Sequence, residues 1–136
     1  MRVFLDTNVV VSGFTTRGLC ADLVREILTS HTFIVSEQIL SETEDVLLHR
    51  FGVPADAVAE ILTLLRRQEI ASLPSPLPDI VIRDPDDLAV IAAAIESHAD
   101  FLVTGDKDIL SLAPLEQVRI STPREFWDTI SKTRYA

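Results

Sequence analysis

Short apolar runs and longer amphipathic stretches alternate along the chain, and the two kinds of stretch predict different elements. Arg2-Val3-Phe4-Leu5, Thr32-Phe33-Ile34-Val35, Ile80-Val81-Ile82, Phe101-Leu102-Val103-Thr104 and Val118-Arg119-Ile120-Ser121 are brief, rich in β-branched or aromatic residues and bounded by turn formers. Runs of this kind predict buried strands. After the first, Gly13 and Gly18 predict a loop, and Leu19, Leu23, Ile27 and Leu28 then line one side of a helix ending near Ser30. Ser36 predicts an N-cap, because its hydroxyl can accept a free backbone N–H, and Glu37 suits the positive end of the helix dipole. That helix should run to about Phe51, where Gly52 provides a stop. A further helix is predicted over 54–70, with Val58, Ile61, Leu62 and Leu65 along one side.

Pro74, Pro76 and Pro78 forbid a helix and predict an extended connector before the run at 80–82. A helix over 86–98 follows, apolar nearly all round from Leu88 to Ala94 and therefore expected to be buried. A short helix after Asp106 comes next. Thr122-Pro123-Arg124-Glu125 combines a capping box with proline at the first helical position, which predicts the start of the last helix. Strand and helix alternation from end to end is the pattern of an α/β fold built on a parallel sheet. The 136 residues fit one domain spanning 1–136.

Composition narrows the chemistry. The 47% hydrophobic and 24% charged content is that of a globular protein. Cys20 is the sole cysteine, which excludes an intrachain disulfide and a thiolate zinc site. No apolar run reaches membrane-spanning length and no charged leader precedes the first strand, so the expected location is the cytoplasm, with no membrane contact. A net charge of −9 argues against a nonspecific duplex-DNA binder, which needs a basic face. It is compatible with a nuclease whose acids hold metal ions, or with a basic protein partner. The four glycines are scattered, so there is neither a P-loop nor a dinucleotide fingerprint. His31, His49 and His98 lie far apart near predicted helix ends, where capping or surface roles suit them better than metal binding.

Acids remain. Asp6 follows the first strand, Asp106 and Asp108 follow the run at 101–104, and Asp84, Asp86 and Asp87 open the buried helix. In open α/β sheets ligands lie beyond the carboxyl ends of the strands, so these acids converge if their strands are adjacent and parallel. Carboxylates in such a cluster cannot all ionise without a cation. Oxygen donors without histidine or cysteine suit Mg²⁺ or Mn²⁺. In the helix from Ser36, spacing does not choose among Glu37, Glu42, Glu44 and Asp45. An acid in a first turn or an Asx turn has a structural use of its own, so spacing alone does not assign each one to the cluster.

Asp6-Thr7-Asn8, then Ser36 with Glu42 six positions later, then Asp86-Asp87, then Val103-Thr104-Gly105-Asp106-Lys107-Asp108 form an ordered set that resembles the PIN domain. It is most similar to the bacterial and archaeal PIN-family toxins of toxin–antitoxin systems, the VapC-like proteins, and the likeness runs from Met1 to about Ile130. The resemblance implies a three-layer α/β/α fold with a central parallel sheet of about five strands. It implies a Mg²⁺- or Mn²⁺-dependent endoribonuclease that leaves a 5′-phosphate and a 3′-hydroxyl. Carried over by motif, the catalytic and metal-holding acids are Asp6, Glu42, Asp87 and Asp106, with Asn8 and Thr104 as polar supports. Asp84 and Asp86 compete with Asp87 for the third position, and Asp108 is an additional acid. The implied partners are single-stranded or structured RNA, a cognate antitoxin protein and a second copy of the chain.

Two phosphotransfer folds also put aspartates at strand ends. A haloacid-dehalogenase site wants an aspartate where Asn8 stands, and a receiver domain wants an acidic pair where Asp6 is alone. The remaining alternative is a PIN-like protein that acts through protein contacts without nuclease activity. The wide apolar arc of Ala57, Val58, Ile61, Leu62, Leu64 and Leu65, ending at Arg66 and Arg67, predicts an association surface.

Overall fold

The computed structural model describes residues 1–135, the last three by backbone alone. Five parallel strands, β1 (Arg2–Leu5), β2 (Thr32–Ser36), β3 (Glu69–Ala71), β4 (Phe101–Val103) and β5 (Arg119–Ser121), form one sheet in the order β3-β2-β1-β4-β5. Helices flank it: α1 (Thr7–Thr15), α2 (Leu19–Ser30), α3 (Glu37–His49), α4 (Ala55–Arg66), α5 (Pro85–Glu96), α6 (Lys107–Leu110) and α7 (Pro123–Tyr135). The fold is the expected α/β/α architecture. Val3, Phe4, Leu5, Ile34, Val35, Leu102 and Val103 are fully enclosed, so the sheet's centre is the core. The chain winds outward from β1 to β2 and β3, then crosses to β4 on the other side of β1. That reversal puts the topological switch point between β1 and β4, where the ends of adjacent strands diverge and leave a crevice.

Three local expectations are corrected. The residues after β1 form a helix, α1, instead of a loop. Asp6 caps it, and Val9, Val10 and Val11 are buried. Gly13 is there for closeness and not for a turn: a Cβ at this position would lie 2.4 Å from Val24 Cγ2 on α2. Second, α4 ends at Arg66 instead of continuing to Ile70, and Glu69–Ala71 pairs with β2 as the edge strand β3. Third, 80–82 is irregular, and the place beside β2 belongs to β3 instead. Ile80 and Ile82 still pack on the core while Val81 is 91% exposed, so the alternation is real but unpaired.

The caps follow the sequence closely. Ser36 Oγ accepts from the Ile39 N–H at 3.2 Å. Thr122 and Glu125 form the reciprocal capping box, each backbone N–H donating to the other's side-chain oxygen at 3.1 Å. A second apolar cluster of Val11, Leu47 and Val58 joins α1, α3 and α4, and Ile61 and Leu62 pack against both clusters. Much of the wide apolar arc of α4 is therefore used inside the molecule. Among the described residues no helix is long and apolar enough to cross a membrane.

Candidate metal centre

At the carboxyl edge of the sheet a cleft of about 260 Å³ is lined by Asp6, Thr7, Asn8, Glu42, Asp45, Val46, Asp84, Asp86, Asp87 and Asp106. All the charged residues described on that lining are acids. Asp6 and Asp106 arrive from β1 and β4, which pair directly through Phe4↔Leu102 and Leu5↔Val103. Glu42 reaches in from the second turn of α3, and Asp87 from the first turn of α5. The four acids expected from the motifs thus share one cleft. Asn8, exposed on the first turn of α1, stands on its wall.

Asp6, Asp106 and Glu42 are each held by specific donors. Asp6 is 9% exposed; its Oδ1 accepts from the Thr7 N–H at 2.8 Å and its Oδ2 from the Thr104 hydroxyl at 2.7 Å. The same hydroxyl accepts from the Asp106 N–H at 3.0 Å, so Thr104, fully buried, ties the two strand ends together. Asp106 Oδ1 caps α6 by accepting from the Asp108 N–H at 2.8 Å and the Ile109 N–H at 3.3 Å. Glu42 is held at both oxygens: Oε2 by the Thr7 hydroxyl at 2.6 Å, Oε1 by Gln38 Nε2 at 2.9 Å. Gln38 Nε2 also donates to the Asp86 carbonyl at 3.0 Å, joining α3 to the first turn of α5.

Burial and mutual repulsion act on the acids together. Burial pushes the Asp6 carboxyl up, with Glu42 and Asp106 adding to the rise, while its bonds from Thr104 and Thr7 oppose it. Asp87 is pushed up to about 6, first by burial and then by Asp106, Asp84, Asp6 and Asp108. A cation beside them would remove this penalty.

The contenders for the third position separate by role. Asp84 caps α5, its Oδ1 accepting from the Asp86 N–H at 2.9 Å. Asp86 is exposed, and Asp87 is the half-buried member of the three. Among the described residues, carboxylate oxygens of Asp87, Asp106 and Asp108 lie within 4.8 Å of one another. Asp108 is exposed, pairs with Arg83 at 3.2 Å and is not part of the cleft lining, so it sits at the rim. The donors are carboxylates supported by hydroxyls and an amide, a set suited to Mg²⁺ or Mn²⁺. Sequence reasoning missed Thr7 and Gln38. The signal for Gln38 was present, since it lies four residues before Glu42 on the same helix face.

Comparison with known proteins converges on one family. The model described as PIN domain matches residues 2–108. The VapBC2 complex of Rickettsia felis, crystallised with a DNA fragment from its promoter, contains a chain with TM-score 0.64 and 18% identity, covering 90% of this chain and 98% of that one. VapC20 of Mycobacterium tuberculosis, a Sarcin-Ricin loop cleaving toxin, gives a TM-score of 0.59 at 18% identity, covering 86% of this chain and 98% of its own. At such identities the likeness is one of fold. Functionally curated proteins give no match.

Proposed function

The chain belongs to the PIN domain family, and we propose that it is a metal-dependent single-strand endoribonuclease, the toxin of a toxin–antitoxin pair. The observation that carries this reading is the shared cleft of Asp6, Glu42, Asp87 and Asp106 at the switch point of the sheet. Mg²⁺ or Mn²⁺, when bound, supplies water activation and charge neutralisation at a phosphodiester. Asp6, Glu42, Asp87 and Asp106 would hold it. Thr104 is a positioning residue that fixes Asp6 and Asp106 relative to each other, and Thr7 and Gln38 orient both oxygens of Glu42. Each oxygen so held keeps a lone pair for a cation. Without a cation, an anionic cleft repels an anionic strand, so RNA binding and cleavage share one requirement.

The relatives named above lend the wider assignment: one is part of a VapBC complex and the other is a Sarcin-Ricin loop cleaving toxin. An antitoxin that places a basic side chain in the acidic cleft would compete with the metal. A homodimer completes the reading, built on the part of α4 that the core leaves open, where Ala59, Thr63 and Leu64 border a groove. Light scattering across a concentration series should give twice the monomer mass, and Leu64→Glu should halve it. A wild-type monomer at high micromolar concentration contradicts the dimer. The enzymatic reading is tested by incubating a mixed-sequence single-stranded RNA with the protein in Mn²⁺ or EDTA. Cleavage in Mn²⁺ alone, with 5′-phosphate ends, is expected; intact RNA in both would favour a protein-interaction module.

A further inference from the structure

A second cavity adjoins the acidic cleft. It is an apolar groove of about 450 Å³, walled by Ile70 and Leu73, floored by Ala89 and Ala93 of α5, and closed at one end by Ser36 and Gln38. β3 is an edge strand, which leaves Ile70 and Leu73 39% and 58% exposed. Two features make groove and cleft one continuous surface. Gln38 lines the groove, yet its amide donates to Glu42 and to the Asp86 carbonyl, both residues of the cleft; a single side chain is the partition. Asp86, Ala89 and Ala93 also stand at i, i+3 and i+7, so one face of α5 runs from the acids to the groove floor. The distance along that face is roughly 10 Å at 1.5 Å per residue.

We propose that this groove receives one unpaired nucleobase of the RNA strand whose phosphate lies at the acids, and so contributes to the choice of cleavage site. The inference rests on the nuclease reading above. Single-stranded nucleic acid meets both halves of the surface: its phosphate needs the charge neutralised at the cleft, and its unpaired bases present flat, weakly solvated faces beside it. The volume admits a purine or a pyrimidine. The alanine floor offers a flat surface, and with no aromatic ring among the described lining residues the base is held by burial instead of ring stacking. Gln38 uses its amide hydrogens within the protein, leaving its carbonyl oxygen as the group it can present to a base. At the groove mouth Glu37 is paired with Arg66 at 3.0 Å, which offsets its charge there.

The test is an abasic scan. Short labelled single-stranded RNAs, each lacking the base at one position in turn, are titrated with the whole protein in Ca²⁺ and followed by fluorescence anisotropy. One position should weaken binding by about tenfold, the scale set by withdrawing a base-sized apolar face from water. Ala89→Phe, which fills the groove, should weaken the intact RNA by a similar factor and erase the effect of the abasic position, with an unchanged melting temperature. Leu73→Ala should give a smaller loss at the same position. A flat scan, or variant and abasic effects that simply add, overturns the proposal and leaves the groove to some other occupant, such as a partner's peptide. RNA cut in Mn²⁺ with a flat scan removes only the groove proposal. RNA neither bound in Ca²⁺ nor cut in Mn²⁺ removes the nuclease reading and this one with it.

Discussion

Asp87 and Asp106 play different parts in the cleft, and the difference is measurable. The Asp87 carboxyl is raised to about 6 in the folded chain from an ordinary 3.8, so between these values the folded state holds a proton that the unfolded state has released. Its contribution to metal-free stability is fully present below about pH 4 and is lost as pH rises through about 6. Melting temperatures in EDTA should therefore fall across that window, and Asp87→Asn should flatten the fall; an identical slope in the variant would contradict the assignment. Asp106 adds a constraint through its hydrogen bonds. Its Oδ1 caps α6 and can be replaced by the amide oxygen of asparagine, so Asp106→Asn should keep the cap while removing a charge from the cluster. In EDTA this variant should melt above the wild type yet lose cleavage. Asp6→Asn is less benign, because an amide nitrogen facing the Thr104 hydroxyl would deprive that buried O–H of its acceptor.

Elements were legible wherever periodicity and caps agreed. β1, β2, β4 and the helices begun at Ser36 and Thr122 follow directly from apolar runs bounded by turn formers and capping residues. Legibility failed where tertiary contact overrode local preference. Glu69–Ala71 is only three residues long and directly follows the helix pattern of α4, so nothing local marks it as a strand; pairing with the open edge of β2 makes it one. The run at 80–82 has strand composition but pairs with no strand of the sheet. Gly13 signals a loop in isolation, whereas its reason is the contact between α1 and α2. Gly13→Ala tests that account. Helix propensity alone would stabilise the variant by about 1 kcal/mol. The contact with Val24, and a second at 3.2 Å to the Cys20 carbonyl, should instead make it destabilising by roughly 1–3 kcal/mol. Denaturant unfolding decides between the two signs.

Across the whole molecule, strand order converts scattered acids into a site. Asp6 and Asp106 are 100 positions apart and meet because β4 crosses to the free side of β1. The sequence shows acids at element ends, but their adjacency is a property of the sheet, and the choice of Glu42 came from family likeness instead of spacing. Thr7, Thr104 and Gln38 complete the geometry by holding carboxylates that repel one another. The acids gathered in this cleft account for part of the net charge of −9. The most direct test is Mn²⁺-dependent cleavage of a mixed-sequence single-stranded RNA, compared between the wild type and Asp6→Asn, Glu42→Gln, Asp87→Asn, Asp106→Asn and, as controls on the same cleft, Asp45→Asn and Asp84→Asn. The first four substitutions should each lower the rate by at least about 100-fold, about 2.7 kcal/mol or more of lost transition-state stabilisation, and the two controls by less than about tenfold. Equal losses across all six, or full activity in Asp6→Asn, would contradict the proposed centre.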